Sequence, residues 1–241
     1  MKIRSQKHKS QLIVYDADRI QEPGPMLFDP VYWERQGRLA GHAVGRGSAL
    51  LLETDFGPAV LRQYLRGGWP ARISHDRYLF TGFDRSRPLT EFQMLVTLSG
   101  MGLPVPRPLA ALCQRHGLFY RGWLLMDRIL RVQALADVIA ERSESPELWR
   151  RAGETIARFH RAGVVHADLN ARNILVAEDD VIHLVDFDRA RFTAEGSAAF
   201  RANLKRLKRS LEKLWPPSVR GKLTACWADL LGGYYGTAVP S

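Results

Sequence analysis

The chain has 241 residues, of which 46% are hydrophobic and 10% aromatic, so it can bury a core as one domain or as two small lobes. A formal net charge of +10 favours a polyanionic partner, which could be nucleic acid, an anionic membrane surface or a phosphorylated substrate. Two cysteines exclude a disulfide framework, and no stretch has the apolar length of a secretory signal or a membrane span. We therefore expect a protein of the reducing cytosol, either soluble or peripheral to a membrane.

The N-terminal part of the chain is predicted to contain an antiparallel meander. Residues 1–36 show no readable pattern beyond an aromatic pair that includes Trp33, which we expect to pack onto the body of the protein. From residue 39 the pattern indicates strands, most clearly at 49–53 and 59–64.

A tight turn with two glycines precedes these strands, formed around Gly45, Arg46 and Gly47. Glycine lets backbone N–H groups approach phosphate oxygens because no Cβ stands in the way. Gly-x-Gly is also common in ordinary hairpin turns, so the turn alone does not distinguish a phosphate-binding loop from an ordinary hairpin.

A helix is predicted over residues 88–98, after a loop in which basic and aromatic residues alternate. Glu91, Leu95 and Leu98 fall on one helix face, so Glu91 lies on the stripe that faces inward. A glutamate in the first turn is also favoured by the helix dipole alone.

Further elements follow in the middle of the chain. They are a hairpin over 108–113 and 118–126 around a turn at 114–117, a helix over 132–141, and a helix capped by Ser145 that has Pro146 in its first turn and ends at Gly163. The helix that begins after Ser145 carries an apolar stripe, which indicates a structural rather than a catalytic role.

Two more helices are predicted near the C-terminus, over 200–215 and 223–231, the second ending before Gly232-Gly233. The first is amphipathic, with leucines on one face and lysines and arginines on the rest. Such a helix can rest on an anionic bilayer, but more often it packs against the protein with a solvated basic face.

The segment over residues 164–188 holds the strongest chemical signal. Short apolar strands alternate with polar loops, and Asp168, Asn173 and Asp186 lie at strand ends or in the loops that feed them. Two carboxylates and a carboxamide provide hard oxygen ligands and a base, which suits Mg²⁺ and a phosphoryl group.

This segment resembles the protein-kinase-like fold. His166-x-Asp168-Leu169-x-x-x-Asn173 is similar to its catalytic loop, and Asp186-Phe187-Asp188 is similar to its metal-binding motif. Ala167 and Asp188 depart from the usual Arg and Gly, which favours small-molecule or lipid–sugar kinases over switched protein kinases. The resemblance implies an α+β, two-lobed fold, with an antiparallel sheet and one helix in a nucleotide-binding lobe over 1–127 and a mostly helical catalytic lobe over 128–241.

A second set of motifs resembles the bacterial lipopolysaccharide-core kinases, in particular the 3-deoxy-D-manno-octulosonic acid (Kdo) kinases. The family pattern L-R-x-Y-x-R-G-G matches residues 61–68, and its later D-R-Y matches residues 76–78. The resemblance covers about residues 40–235.

The resemblance assigns roles to the candidate residues. Asp168 would be the catalytic base, Asn173 and Asp186 would hold Mg²⁺, and Asp188 is a further candidate ligand. ATP would be bound by Gly45, Arg46, Gly47, Arg62, Glu91 and Met126, the last beside the inter-lobe hinge at 127–128. Candidate contacts to the acceptor are Arg66, Arg72, Arg77 and Arg172.

Within this set, Arg62 stands where the kinase fold has a lysine. A guanidinium can also bind phosphate, and the resemblance pairs this cation with Glu91.

The function implied is ATP-dependent phosphorylation of the 4-hydroxyl of a Kdo sugar on a lipid A precursor, with Mg²⁺, by a cytoplasmic protein peripheral to a bacterial inner membrane. The alternatives are a lipopolysaccharide heptose kinase, an atypical protein kinase, or a basic pseudokinase that binds anionic lipid. A nucleic-acid binder is disfavoured because no strand face carries interleaved aromatic residues. The sequence gives no oligomeric state.

Overall fold

A computed structural model describes residues 1–42, 49–65, 76–194 and 196–236. These residues form two compact units, of which the first contains Met1–Thr97 and Pro106–Arg128 and the second Leu98–Val105 and the chain from Ile129 onward. An antiparallel sheet dominates the first unit and helices dominate the second, which confirms the predicted α+β class. The predicted lobe boundary after residue 127 stays a prediction.

Among the described residues, the sheet of the first unit has eight strands. They are β1 Ile3–His8, β2 Gln11–Asp16, β3 Leu39–His42, β4 Ala49–Thr54, β5 Gly57–Gln63, β6 Tyr78–Leu79, β7 Pro108–His116 and β8 Phe119–Asp127. Seven run antiparallel in the order β1-β2-β7-β8-β5-β4-β3, and β6 pairs with the start of β8. A 3-10 helix at Pro25–Phe28 and α1 Pro30–Arg35 follow β2, and α2 Arg87–Gly100 follows β6.

The first 36 residues, in which we found no pattern, contribute strands β1 and β2 to this sheet. β1 lies at the sheet edge, and all six of its side chains are exposed. Neither face of such a strand is buried, so its sequence has no alternation of apolar and polar residues to detect. Trp33 packs into the core as predicted, with 2% of its surface exposed, and its Nε1–H donates to the carbonyl oxygen of Leu27 at 2.9 Å.

The hairpin of β7 and β8 is longer than predicted. Residues 114–116 were assigned to the turn, but they continue β7 and pair with the start of β8. Polar residues extend the strands here because the end of the hairpin is exposed and no core selects apolar side chains. The turn itself is made by Gly117, whose φ is +61°, and Leu118.

The second unit is built from helices and short strands. These are β9 Val132–Ala134, α3 Leu135–Arg142, α4 Pro146–Arg161, β10 Val164–Val165, β11 Ile174–Ala177, β12 Ile182–Leu184, β13 Arg191–Phe192, α5 Ala198–Leu214, a 3-10 helix at Pro217–Lys222 and α6 Leu223–Gly236. β12, β11 and β9 form one antiparallel sheet, and β10 pairs with β13. The α5 leucines at 204, 207 and 211 are buried, so the apolar face of this helix is packed inside the unit.

One predicted helix boundary, the start of α3, is wrong, whereas α4 begins after Ser145 with Pro146 in its first turn, as predicted. Residues 132–134 form β9 rather than the start of a helix, because they pair with β11. The Ser145 side chain does not cap α4; its Oγ instead accepts a hydrogen bond from Arg142 Nε at 3.4 Å. The end of α4 is as predicted: Gly163 has a φ of +77°, the left-handed conformation that commonly terminates helices.

The predicted end of α6 before Gly232 is also wrong, and close helix packing explains why. A Cβ on Gly233 would overlap the carbonyl oxygen of Arg150 in α4, and a Cβ on Gly153 would overlap that of Leu230 in α6. The backbones of α4 and α6 therefore touch where each helix has a glycine. Gly233 is a packing residue within the helix rather than a stop signal.

Candidate active site

The catalytic-loop segment of the second unit is held between short strands. β10 leads into residues 166–173, β11 and β12 form an antiparallel hairpin, and Val185 follows β12. The backbone N–H of Val185 donates to the carbonyl oxygen of Asn173 at 3.1 Å. This bond brings Asn173 beside the residue that precedes Asp186, so the loop and the metal-motif segment lie together.

His166 connects the same two segments from inside the unit. Its Nδ1 accepts the N–H of Asp168 at 3.1 Å, so Nε2 carries the proton that is donated to the carbonyl oxygen of Val185 at 2.9 Å. Burial lowers the pKa of His166, which is 3% exposed, and this keeps the ring neutral. The Phe187 ring packs edge-on at 4.9 Å. His166 thus organises the loop and does not face solvent as a base.

Two asparagines fix the backbone of Asp168. The side-chain amides of Asn170 and Asn173 both donate to its carbonyl oxygen at 2.9 Å, and Asn170 Oδ1 accepts the N–H of Arg172 at 2.9 Å. With Nδ2 of Asn173 used in this way, its Oδ1 is the side-chain atom that can accept a hydrogen bond or bind a cation. The Arg172 side chain is exposed.

Asp186 has a backbone conformation that few residues other than glycine adopt. Its φ is +66°, in the left-handed region that non-glycine residues rarely occupy. Aspartate tolerates this region better than most residues, but the conformation still carries a cost, and such outliers cluster at functional sites. The predicted metal ligand is therefore held in a specific, strained position.

The residues predicted to hold Mg²⁺ fit that ion. Among the described residues, no group of three or more His, Cys, Asp or Glu side chains could hold a metal. Mg²⁺ keeps several waters and is usually bound by one or two protein ligands together with substrate phosphates. Asn173 Oδ1 and the Asp186 carboxylate supply a set of that size and chemistry.

Helix α5 lies along the catalytic loop, a role that the sequence did not predict. Three side chains at spacings of three and four residues contact successive loop positions: Asn203 bonds His166, Arg206 bonds Asp168 and Ser210 bonds Ala171. These residues lie at the border between the apolar and basic faces of the helix. The one available signal was Asn203, a polar residue among the apolar positions of the stripe.

The contact between Arg206 and Asp168 is an ion pair. The Arg206 guanidinium lies 3.2 Å from Asp168 Oδ1, and the two side chains are 48% and 45% exposed. The predicted base thus has a cation partner from α5. For Arg172, no ion pair is found within the described part of the chain.

The first unit contains a second polar cluster, formed by Arg62 and Tyr64 at the end of β5 and by Glu91 of α2. Glu91 is 2% exposed and accepts hydrogen bonds from the Arg62 guanidinium and the Tyr64 hydroxyl. Arg62 also donates to Tyr64 Oη at 3.0 Å. Burial raises the pKa of Tyr64 well above its ordinary value, and the charge of Glu91 raises it further, so Tyr64 is a neutral donor.

The ion pair expected between Arg62 and Glu91 is therefore present, and Glu91, Leu95 and Leu98 are all buried as predicted. Tyr64 was missed as a partner, although its i+2 position places it on the same side of the strand as Arg62.

The remaining candidates are placed as follows. Met126 is 9% exposed in β8, opposite Val60 of β5, and Arg77 is exposed just before β6. Gly45, Arg46, Gly47, Arg66 and Arg72 lie outside the described residues.

Of the helices that the structure describes, none combines the length and the apolar character that crossing a bilayer demands.

Comparisons with known proteins identify the family of the chain. The family model described as "Lipopolysaccharide kinase (Kdo/WaaP) family" matches residues 31–234. A 3-deoxy-D-manno-octulosonic acid kinase of Stenotrophomonas maltophilia (strain R551-3) is 48% identical over 204 residues, which are 84% of this chain and 80% of the relative. A protein of the same name from Vibrio vulnificus (strain CMCP6) is 38% identical over 237 residues, which are 96% and 98% of the two chains. The chain belongs to the lipopolysaccharide kinase (Kdo/WaaP) family.

Proposed function

We propose that this protein is an ATP-dependent kinase that phosphorylates the 4-hydroxyl of a Kdo sugar on a lipid A precursor during lipopolysaccharide core biosynthesis. The observation that carries the proposal is the hydrogen-bond network of the second unit. It joins Asp168, His166 and Asn173 to Val185, the residue before Asp186, so a candidate base and one candidate metal ligand are held beside the segment that carries the other. Membership of the family, and relatives named Kdo kinase, support this acceptor over heptose or protein.

In this proposal Asp168 accepts the proton of the acceptor hydroxyl while the hydroxyl oxygen attacks the γ-phosphorus of ATP. The bond from that phosphorus to the β–γ bridging oxygen breaks, and ADP leaves. Asn173 and Asp186 would hold Mg²⁺, which supplies positive charge to the ATP phosphates when bound. His166 keeps the loop in place, since its two ring nitrogens are already used by Asp168 and Val185.

In the first unit, Arg62 would bind phosphate oxygens of ATP. Its guanidinium is held by Glu91 and Tyr64, and a planar group with five N–H donors can keep these partners and still bind an anion. Gly45, Arg46 and Gly47 would cover the phosphates, and the backbone beside Met126 would meet the adenine. Contacts to the acceptor are proposed for Arg66, Arg72, Arg77 and Arg172, and metal ligation is proposed for Asp188.

Phosphate transfer from labelled ATP tests the proposal. The acceptors are Kdo-lipid A precursor, heptosylated core oligosaccharide, a basic protein and buffer alone. Label on the Kdo-lipid alone, lost in Asp168→Asn and kept in Asp137→Asn, an exposed carboxylate on α3, is the expected result. Label confined to the heptosylated core would identify a heptose kinase. No transfer to any acceptor would reject the kinase.

We further propose that the protein binds the anionic face of the inner membrane through the tip of the β7–β8 hairpin. Three apolar side chains are exposed there: Leu79 at 58%, Leu118 at 72% and Phe119 at 40%. An open cavity of about 360 Å³ that includes Gly117 is lined by three cations: Lys7, Lys9 and Arg115. Apolar side chains rimmed by cations suit a bilayer of anionic lipids, because the former insert and the latter meet the headgroups.

Sedimentation with vesicles tests this surface. We expect binding to phosphatidylglycerol-containing vesicles and not to pure phosphatidylcholine, with a clear loss in Leu118→Ser. Leu130→Ser is the matched control, because Leu130 is a leucine of the second unit that is 53% exposed. Equal binding of both variants would rule out the hairpin tip as the docking surface.

A further inference from the structure

Arg206 is the cation that α5 places at the predicted catalytic base. Asn203 and Ser210, three residues before and four residues after it, bond the loop on either side of Asp168. The position of the helix relative to the loop is therefore fixed independently of Arg206. Because Arg206 and Asp168 are each about half exposed, a ligand from solvent can reach both.

The ion pair occupies one of the two carboxylate oxygens of Asp168, the predicted base. A carboxylate that accepts a proton from a substrate hydroxyl must offer an oxygen to that hydroxyl, and Arg206 engages Oδ1 at 3.2 Å. The contact leaves Oδ2 for the hydroxyl, but a second anion that took Arg206 would leave both carboxylate oxygens of Asp168 to the acceptor. A carboxylate on the acceptor could take this place, because it would give the guanidinium another charge-assisted hydrogen bond.

We propose that Arg206 binds the carboxylate of the acceptor sugar, and that this exchange frees Asp168 to accept the proton of the reacting hydroxyl. The inference rests on the proposed function, because it takes the acceptor to be an acidic sugar. Arg206 already binds a carboxylate oxygen at this place, and its planar fork matches a carboxylate with two parallel N–H donors. Acceptors that carry such a group beside the hydroxyl would bind Arg206 and release both oxygens of the base, so Arg206 favours acidic acceptors.

A general attraction between a basic helix and an anionic acceptor is the competing explanation, and α5 offers the control. Arg201 is also exposed on α5, but it lies five residues earlier and so points away from the Arg206 side of the helix. Glutamine at either position removes one positive charge. General attraction predicts equal effects of Arg201→Gln and Arg206→Gln, whereas carboxylate binding predicts an effect at position 206 only.

The test compares steady-state kinetics of the wild type, Arg206→Gln, Arg206→Lys and Arg201→Gln. The acceptors are Kdo-lipid A precursor and the same lipid with the sugar carboxylate converted to its methyl ester. We expect Arg206→Gln to raise the acceptor KM by about tenfold or more, since a hydrogen bond to a charged group is lost, and to leave the ATP KM unchanged. The acceptor KM of Arg206→Lys should lie between those of the wild type and Arg206→Gln, because lysine keeps the charge but lacks the planar pair of N–H donors.

The ester gives the decisive comparison. For the wild type and Arg201→Gln, the ester should raise the acceptor KM as much as Arg206→Gln raises the KM for the acid. In Arg206→Gln the ester should raise the KM little further, because the ester and the substitution remove the same contact. Equal ester penalties in Arg206→Gln and Arg201→Gln would overturn the inference. Thermal unfolding of each variant checks that the fold is retained.

Equilibrium binding of both lipids without ATP separates this inference from the proposed function. If the wild type binds the acid and transfers no phosphate, the proposed reaction fails. The inference then stands if Arg206→Gln alone loses the preference for acid over ester. It falls if the wild type itself has no such preference.

Discussion

Asn203 on α5 satisfies both backbone polar groups of His166. Its Oδ1 accepts the N–H of His166 at 3.0 Å, and its Nδ2 donates to the carbonyl oxygen at 2.8 Å. Asn203 is 5% exposed and His166 is 3% exposed, so water cannot replace these bonds. The Asn203 carboxamide thus pairs the backbone N–H and carbonyl oxygen of His166, as a neighbouring strand pairs these groups in a sheet.

Asn203→Ala should therefore destabilise the protein and slow phosphate transfer. Each buried backbone group left without a partner costs about 1–3 kcal/mol, and the substitution leaves two such groups, the N–H and the carbonyl oxygen of His166. Urea unfolding measures the effect, with Lys205→Ala as the control because Lys205 is exposed on the same helix. If both variants unfold at the same urea concentration, Asn203 does not support the loop.

Asp186→Asn should raise the Mg²⁺ concentration needed for half-maximal transfer. Asparagine tolerates positive φ, so the substitution removes the charge without adding backbone strain. We expect a shift of about tenfold or more, the scale seen when metal sites lose a supporting group. Asp180→Asn is the matched control, because Asp180 has a φ of +60° in the β11–β12 turn. An unchanged Mg²⁺ requirement in Asp186→Asn would show that Asp186 is not a ligand of the proposed metal ion.

Glu91→Gln should destabilise the first unit much more than removal of an exposed carboxylate. Glu91 is 2% exposed and binds both Arg62 and Tyr64, and breaking a buried ion pair by neutralising one partner costs up to about 3–5 kcal/mol. Glu53→Gln is the control: Glu53 pairs with Arg128 at 3.3 Å but is 56% exposed, and such pairs contribute at most about 1 kcal/mol. Urea unfolding of the two variants makes the comparison, and similar midpoints would contradict the prediction.

These contacts show why parts of the site were predictable. Glu91 was placed on an inward face from helical spacing alone, because Leu95 and Leu98 mark that face. The strands around the catalytic loop were equally clear, since they are short, apolar and bounded by polar turns. Local periodicity determines both features, and local periodicity is visible in one sequence.

The features that were missed depend on contacts between distant parts of the chain. The pairing of Arg206 with Asp168 joins residues 38 positions apart, and nothing in the α5 sequence separates Arg206 from the other cations of its face. Strand β1 was missed because an edge strand with both faces exposed has no buried side to generate a pattern. The Gly232-Gly233 pair was interpreted as the end of a helix because the sequence alone does not distinguish a glycine that allows close helix packing from one that terminates a helix.

Gly233→Ala should be strongly destabilising, while Gly232→Ala should not. A Cβ at Gly233 would overlap the backbone of α4 at Arg150, whereas a Cβ at Gly232 would meet nothing within 4 Å. Overpacking costs about 1–3 kcal/mol or more when backbone must move, but alanine in place of an exposed helical glycine gains about 0.5–1 kcal/mol. Thermal unfolding should therefore shift in opposite directions, and a loss of stability in both variants would show that the two helices are not in direct contact at Gly233.

Buried His160 should make the protein less stable as the pH falls. Burial lowers its pKa to about 4, and the ring stacks on Phe200 at 4.5 Å while Nδ1 lies 2.8 Å from the Tyr234 hydroxyl. An unfolded histidine titrates near pH 6.5, so between about pH 6.5 and 4 the unfolded chain holds a proton that the folded chain does not. Stability should then decrease as the pH is lowered through this window, by up to about 1.4 kcal/mol per pH unit for this group.

His160→Gln isolates this contribution, because carboxylates also titrate in the same range. Urea unfolding between pH 4 and pH 7 should give a shallower pH dependence in His160→Gln than in the wild type, even though the variant is less stable at pH 7. If the free energy of unfolding depended on pH equally in the wild type and His160→Gln, His160 would bind its proton equally well in the folded and unfolded states. That result would contradict the prediction, because burial against Phe200 disfavours the protonated ring in the folded state.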